Sequence, residues 1–331
     1  MKVVIPMAGY GTRLRPHTWS KPKPLVTVAG KPVLGHVLDI VHTLTEVEEV
    51  VFIVGYLGRQ VEEFVAGAYP KLKARYVEQT EMLGQSHAVW LARQGLTGPV
   101  MVVFVDTIID IDLSRVAFQG NQAIAWVKPV PDPRRFGVAE LRSDGKVRRL
   151  VEKPQELDNN LAVVGFYYFH EAADLLRAIE TQMERRLSLH GEYFLADAIN
   201  FLLESGLEMR IEPVEVWHDC GKPESLLETN RYLLDHGRDN SAAALRRTGV
   251  VVVPPVYIDP TAVVIQSVIG PHVSIGAGCE ITRSVVLDSI IDSGSQVVDT
   301  ALSASIIGRD ARVVGRSRSL NVGDSSEVGF A

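Results

Sequence analysis

Cysteine is nearly absent from this chain of 331 residues: Cys220 and Cys279 are the only two. Two thiols so far apart give no disulfide framework and none of the close pairs that bind metal. Long apolar runs are missing too, and none approaches the ~18 residues that a membrane helix requires. Excess positive charge is also lacking. The formal net charge of −6 argues against nucleic acid or an acidic membrane as a partner, except where basic residues concentrate locally. The chain begins directly with a strand-like run rather than a basic stretch and an apolar core, so no secretion signal fits and a soluble, cytoplasmic protein is expected. What is present is ordinary globular composition, 46% hydrophobic and 22% charged, in a length that suits roughly two domains.

The local concentration of basic residues lies at the amino terminus. After the apolar run Val3 to Pro6 come Gly9 and Gly11, then Thr12, Arg13 and Arg15, then Lys21 and Lys23 on either side of a proline. Glycines let the backbone turn with its N–H groups exposed, and such a nest after a strand attracts oxyanions. Backbone N–H, guanidinium and ammonium donors within so few residues point to a bound phosphate chain. Two familiar glycine motifs are excluded. The dinucleotide fingerprint needs a third glycine where Leu14 stands, and the P-loop needs a Gly-Lys-Ser/Thr that is not there.

Further on, helical spacing at Val33 to Leu44, Arg59 to Ala66 and Ser86 to Gln94 alternates with apolar runs at Val50 to Val54, Ala74 to Gln79 and Val100 to Val105. This is the rhythm of a mostly parallel, Rossmann-like α/β sheet covered on both faces, where ligands gather beyond the carboxyl ends of strands. The glycine loop, Gln79 and Asp106 fall at such ends. Longer alternating segments, some antiparallel, follow from Ala123 to Phe169. Helices are expected at Ala172 to Met183, Phe194 to Glu204 and Glu224 to Leu234, with a strand pair over Met209 to Trp217. The polar stretch 239–249 reads as a linker between a domain at 1–238 and another at 250–331. In the latter Val251, Tyr257, Val263, Ile269, Ile275, Ile281 and Leu287 recur every six residues, the register slipping near Ser293 and resuming at Ile307 and Val313. A six-residue repeat predicts three short faces per turn and one continuous core, a parallel β-helix.

The string Gly9-Tyr10-Gly11-Thr12-Arg13-Leu14-Arg15-Pro16, followed by Lys21-Pro22-Lys23-Pro24-Leu25, resembles the signature of the sugar-1-phosphate nucleotidyltransferases, and the repeat resembles the hexapeptide left-handed β-helix. The resemblance implies that Gly9, Gly11 and Thr12 wrap a triphosphate, that Arg13 grips the phosphates and that Lys23 contacts the α-phosphate. Arg15 and Lys21 read as solvated or secondary. Asp106 matches the family's Gly-Asp-Asn segment, although Val105 and Thr107 replace its flanking residues, and Asp219 matches Trp-x-Asp-x-Gly. Two such carboxylates suit Mg2+, which takes one or two and fills its remaining positions with phosphate oxygens and water. Gln79 with Gly84 matches the base-reading segment, and a Gln amide offers the donor and acceptor that suit the N3–H and O4 edge of thymine or uracil. His87 reads as a helix-packing residue. Glu152 and Lys153 match a Glu-Lys-Pro element that takes sugar hydroxyls and sugar phosphate, while Gly137 and Val163 lie in segments lining the sugar pocket. Gly191-Glu192 and Asp197 resemble another family element to which no role is assigned.

The implied activity joins dTTP, or alternatively UTP, to a hexose 1-phosphate, glucose 1-phosphate foremost, releasing pyrophosphate; guanylyl transfer is disfavoured by Gln79. A non-catalytic subunit of the same architecture is the rival from another class, and such relatives tend to lose the residues kept here as Arg13, Lys23, Asp106 and Asp219. Acyl transfer by the β-helix needs a catalytic histidine, and its only candidate, His272, lies in a Gly-Pro-His turn that reads as structural. The flat faces of the β-helix are expected to form a homo-oligomer.

Overall fold

The computed structural model describes residues 1–118, 120, 122–245 and 249–315. They fall into two compact units, one of Met1–Thr27 with Lys31–Thr229 and one of Val28–Gly30 with Asn230–Ala331.

In the first unit β1 (Lys2–Pro6) runs parallel to β2 (Glu49–Val54) on one side and to β4 (Val100–Val103) on the other, with β3 (Ala74–Glu78) parallel beyond β2. After Lys2 and Glu49 at their starts, β1, β2 and β4 are apolar because both faces are covered, while the outer strand β3 carries Arg75 and an exposed Glu78. Val3 and Ile5 pack with Leu34 and Leu38 of α1 (Val33–Val41) and Val61 and Val65 of α2 (Gly58–Ala68). Val4, Val51 and Ile53 face the opposite way, into the cluster of Ala88 from α3 (Gln85–Leu91), Leu175 from α4 (Ala172–Glu184) and Ile199 from α5 (Leu195–Glu204). Past β4 lie β5 (Thr107–Ile109), β6 (Gln122–Pro129), β7 (Gly137–Leu141), β8 (Val147–Glu152), β9 (Leu161–Phe169) and β10 (Glu208–Pro213). The nine-stranded sheet has the order β8-β7-β9-β4-β1-β2-β3, with β6 and then β10 added from β9. Strand β9 is antiparallel to β4, β6 and β7, as the change of pattern after Ala123 predicts.

The expected strand pair over Met209 to Trp217 is not a hairpin. Strand β10 joins the large sheet beside β6, whereas β11 (Trp217–Asp219) pairs antiparallel with β5, Asp219 opposite Thr107. That short ribbon brings the chain around Asp219 back to Asp106.

The second unit is a left-handed parallel β-helix of three four-stranded parallel sheets. Val252, Ile258, Val264, Ile269, Ile275, Ile281, Val286, Ile291 and Val297 form its core. The six-residue count gives the architecture but misplaces part of the register: Val251, Val263 and Leu287 are 59%, 49% and 36% exposed. The steps from Val264 to Ile269, Ile281 to Val286 and Val286 to Ile291 are five residues, and each contains one non-glycine residue in the left-handed region: Gln266, Arg283 or Asp288. The corner there turns in one residue fewer. Val251 therefore stacks on Val268, seventeen residues on, and Ile275 on Ile291, sixteen on. Of the stretch expected as a linker, Asp239 and Asn240 are bonded to this unit's backbone. Asp239 Oδ1 accepts from Val256 N, and the Asn240 amide exchanges two hydrogen bonds with the Ile258 backbone. His272 sits at a corner with its Nε2 3.0 Å from Asp235 Oδ1. The expected β-helix residues 316–331 lie outside the described residues.

Candidate active site

The glycine loop leaves β1 and turns at Gly11, whose φ of 60° suits glycine. A Cβ there would come within 3.0 Å of Lys23 Cβ and 3.2 Å of Thr18 Cγ2. The Gly11 carbonyl accepts from Leu14 N at 2.9 Å and from Thr18 Oγ1 at 2.8 Å, while the buried Leu14 anchors the single 3-10 turn Thr12–Leu14. Gly9, Gly11, Thr12, Arg13 and Lys23 line a cavity of about 440 Å³ that also includes Gln79, Gly84, Gln85, Phe104 and Asp106. Of the two readings of Lys21, solvated or secondary, the structure removes the first. Lys21 is 7% exposed, carried inward where the chain turns toward the 3-10 turn Lys23–Leu25.

Lys23 Nζ donates to Asp106 Oδ2 at 2.6 Å. Burial alone would raise the Asp106 carboxyl, but the charge and hydrogen bond of Lys23, with Arg13 farther away, hold it below the usual carboxylate range. Asp219 goes the other way. Burial and the charge of Asp106 raise it, against weaker help from Lys23 and from the Gly221 N–H that donates to its Oδ1 at 2.9 Å. Asp106 and Asp219 line one cavity, Asp219 standing opposite Thr107 in the ribbon of β5 and β11, and two carboxylates with a lysine as counter-charge suit a hard divalent cation. The thiol of neighbouring Cys220 takes no part, since burial pushes it up to about 12.

A second cavity, of about 160 Å³, shares Arg13, Gln85, Phe104 and Asp106 with the first and adds Gly137, Glu152, Val163 and Asp219. Gly137 is tight: a Cβ would lie 3.0 Å from Val163 Cγ2 and 3.1 Å from Glu152 Oε2. Burial raises the Glu152 carboxyl, and Asp197 and Glu192 add to the shift while Lys153 opposes it. Lys153 itself does not line this cavity; its Nζ lies 4.5 Å from the centre of the Phe194 ring. The cation that does line it, besides Arg13, is Arg135, whose Nη2 is 3.8 Å from Asp219 Oδ2. No motif in the sequence singles out Arg135.

Two supporting residues also escaped the sequence reading. Asn200 on α5 donates to the Leu150 carbonyl at 2.9 Å and accepts from Leu150 N at 2.8 Å, fixing strand β8 two residues before Glu152. His87, read as packing, does stack on Trp90, but its Nδ1 is also 3.1 Å from Gln79 Nε2. Gly84, at φ 98°, abuts Tyr193, where a Cβ would be 2.6 Å from the backbone N. Backbone bonds Tyr193 N to Leu83 O and Ser86 N to Tyr193 O join the two segments. No signal in one sequence pairs residues so far apart.

The model of the nucleotidyl transferase family matches residues 2–236. The chain belongs to the nucleotidyl transferase family. This nucleotidyl transferase is 33% identical to the glucose-1-phosphate thymidylyltransferase of Streptomyces antibioticus, over 99% of both chains. It is 32% identical to the low-salt glycan biosynthesis nucleotidyltransferase Agl11 of Haloferax volcanii, again over 99% of both. A solved UDP-glucose pyrophosphorylase complexed with UDP-glucose matches with a TM-score of 0.62 at 21% identity, over 71% of this chain and 98% of that one. At that identity the likeness is one of fold. Among the described residues, no helix is long and apolar enough to cross a membrane.

Proposed function

We propose that this nucleotidyl transferase joins dTTP, or alternatively UTP, to glucose 1-phosphate, forming a nucleotide sugar and pyrophosphate. One observation carries the reading: a glycine-lined cavity and a carboxylate-lined cavity open on the same Arg13 and Asp106. Two anionic substrates can therefore meet at one charged point. The relatives named glucose-1-phosphate thymidylyltransferase, matched over their full length, support the choice of substrates.

In this reading the loop of Gly9, Gly11 and Thr12 cradles the triphosphate, and Arg13 presents a planar fork to its oxygens. Lys23 exchanges Asp106 for the α-phosphate. Gln79 and Gly84 meet the base, Gly137 lets the sugar approach the backbone beside Val163, and Glu152 accepts from its hydroxyls. Lys153 reaches the sugar phosphate by leaving the Phe194 ring. The phosphate oxygen of the sugar attacks the α-phosphorus in line, and pyrophosphate leaves. The protein contributes position and opposing charge more than covalent chemistry. Asp106 and Asp219 are the residues that would hold Mg2+, which when bound supplies positive charge against the phosphate oxygens.

The test is pyrophosphate release from dTTP, UTP, ATP and GTP with glucose 1-phosphate and Mg2+. The highest kcat/KM is expected with dTTP or UTP, and no release from any pair would defeat the proposal. Exposed apolar side chains on the β-helix, Val251, Val263 and Ile265 among them, support a homo-oligomer through that unit. A monomeric mass by light scattering would exclude it.

A further inference from the structure

The amide of Gln79 is held from both sides. Its Nε2 lies 3.2 Å from the Gly84 carbonyl oxygen and 3.1 Å from His87 Nδ1. A carbonyl oxygen only accepts, so the group facing Gly84 is the amide nitrogen; the reverse orientation would set oxygen against oxygen. Gly84 cannot turn its carbonyl away freely, because its segment is bonded to Tyr193 on both sides. With both amide hydrogens directed at fixed acceptors, His87 Nδ1 carries no proton and the ring is the Nε2–H tautomer. The atom left for a ligand is Gln79 Oε1, which has no hydrogen-bond partner among the described residues, in a side chain that lines the larger cavity.

We propose that His87 is a positioning residue for base selection: it locks Gln79 so that only a carbonyl oxygen meets the base, which must then bring a ring N–H. Thymine and uracil have that donor at N3. Cytosine has a bare acceptor there and faces oxygen with nitrogen lone pair. The inference rests on the nucleotide assignment above and sharpens it, since Gln79 contributes an acceptor alone rather than the donor and acceptor pair read from its sequence. Burial lowers the His87 pKa against the pull of Glu81, which agrees with a neutral ring.

Two substitutions separate the lock from packing. In His87→Phe the ring and its stack on Trp90 are retained and the acceptor is lost. In His87→Asn an oxygen takes the place of Nδ1. The ratio of kcat/KM for dTTP over dCTP, with glucose 1-phosphate, is expected to fall by about threefold to tenfold in His87→Phe, the worth of one neutral hydrogen bond. It should stay within about twofold of the parent in His87→Asn, a rescue that a purely structural role would not give. An unchanged ratio in His87→Phe, or the same fall in both variants, overturns the proposal. Nitrogen-15 NMR of the free protein gives a readout independent of turnover. A bare Nδ1 at neutral pH is expected, and a protonated one overturns the lock. Failure of the parent protein to use any nucleotide defeats the functional assignment instead, and leaves the NMR result to decide the lock.

Discussion

Both units use left-handed backbone, and they use it for opposite ends. In the α/β unit the turns that shape the cavities fall on glycines, Gly11, Gly84 and Gly165, and at each a Cβ would strike a particular neighbour: Lys23, Tyr193 or Phe104. In the β-helix the same conformation is taken mostly by residues with side chains, Gln266, His272, Arg283, Asp288, Asp299, Ala304 and Asp310, alongside Gly270, Gly278 and Gly294. A left-handed L-residue costs roughly 1–2 kcal/mol, a cost the β-helix repeats and the binding loop avoids. Repetition tolerates strain because each rung is supported by its neighbours. Near the cavities the exception is Lys153, at φ 49°.

That contrast can be broken at its strongest point first. Asp106→Asn should lower kcat/KM by roughly 10³-fold, the scale of removing a preorganised charge from phosphoryl chemistry, with an unchanged far-UV spectrum; a rate within tenfold of the parent would separate the carboxylate from the reaction. Gly84→Ala should cost about 2 kcal/mol in denaturant unfolding and weaken nucleotide binding as well, because φ 98° and a 2.6 Å approach to Tyr193 act together. A loss of stability without loss of binding would show that the seam does not shape the cavity.

A milder effect is expected from pH. Burial raises the Glu152 carboxyl above the ordinary carboxylate range, and the ionised form is the stronger acceptor of sugar hydroxyls. KM for glucose 1-phosphate should therefore rise as pH falls through that raised pKa, and Glu152→Gln should remove that component when the two profiles are compared. The sign for folding is opposite. With the folded pKa raised, the contribution of this group to stability is complete below the unfolded value and is lost as pH rises through the folded one. Smallest of all, Ala304→Gly should relieve a φ of 47° and, after the added chain entropy of glycine, raise stability by at most about 1 kcal/mol in thermal melts, with no change in activity.

The alternation of strand and helix, the glycine loop and the six-residue repeat were legible because each is local, resting on period or on neighbouring residues. The register of the β-helix was only partly so. Counting by sixes assumes equal corners, and Gln266 or Arg283 shortens a corner without announcing it in composition. At the site, the residues recognisable by type, Arg13, Lys23, Gln79 and Asp106, do share a cavity. Their partnerships were hidden. The Lys23–Asp106 pair spans 83 positions and needs the whole sheet to close, while Arg135 and Asn200 act through contacts that no motif encodes.

Asn200 has one more consequence. Strand β8 is the last in its row, and an outermost strand offers its unpaired amides as a template on which another chain can assemble. By giving Leu150 the donor and acceptor that a further peptide unit would supply, one side chain stands in for a missing strand. The sheet thus ends at a plug one residue long, and the margin carrying Glu152 is guarded at that point against addition of a foreign strand.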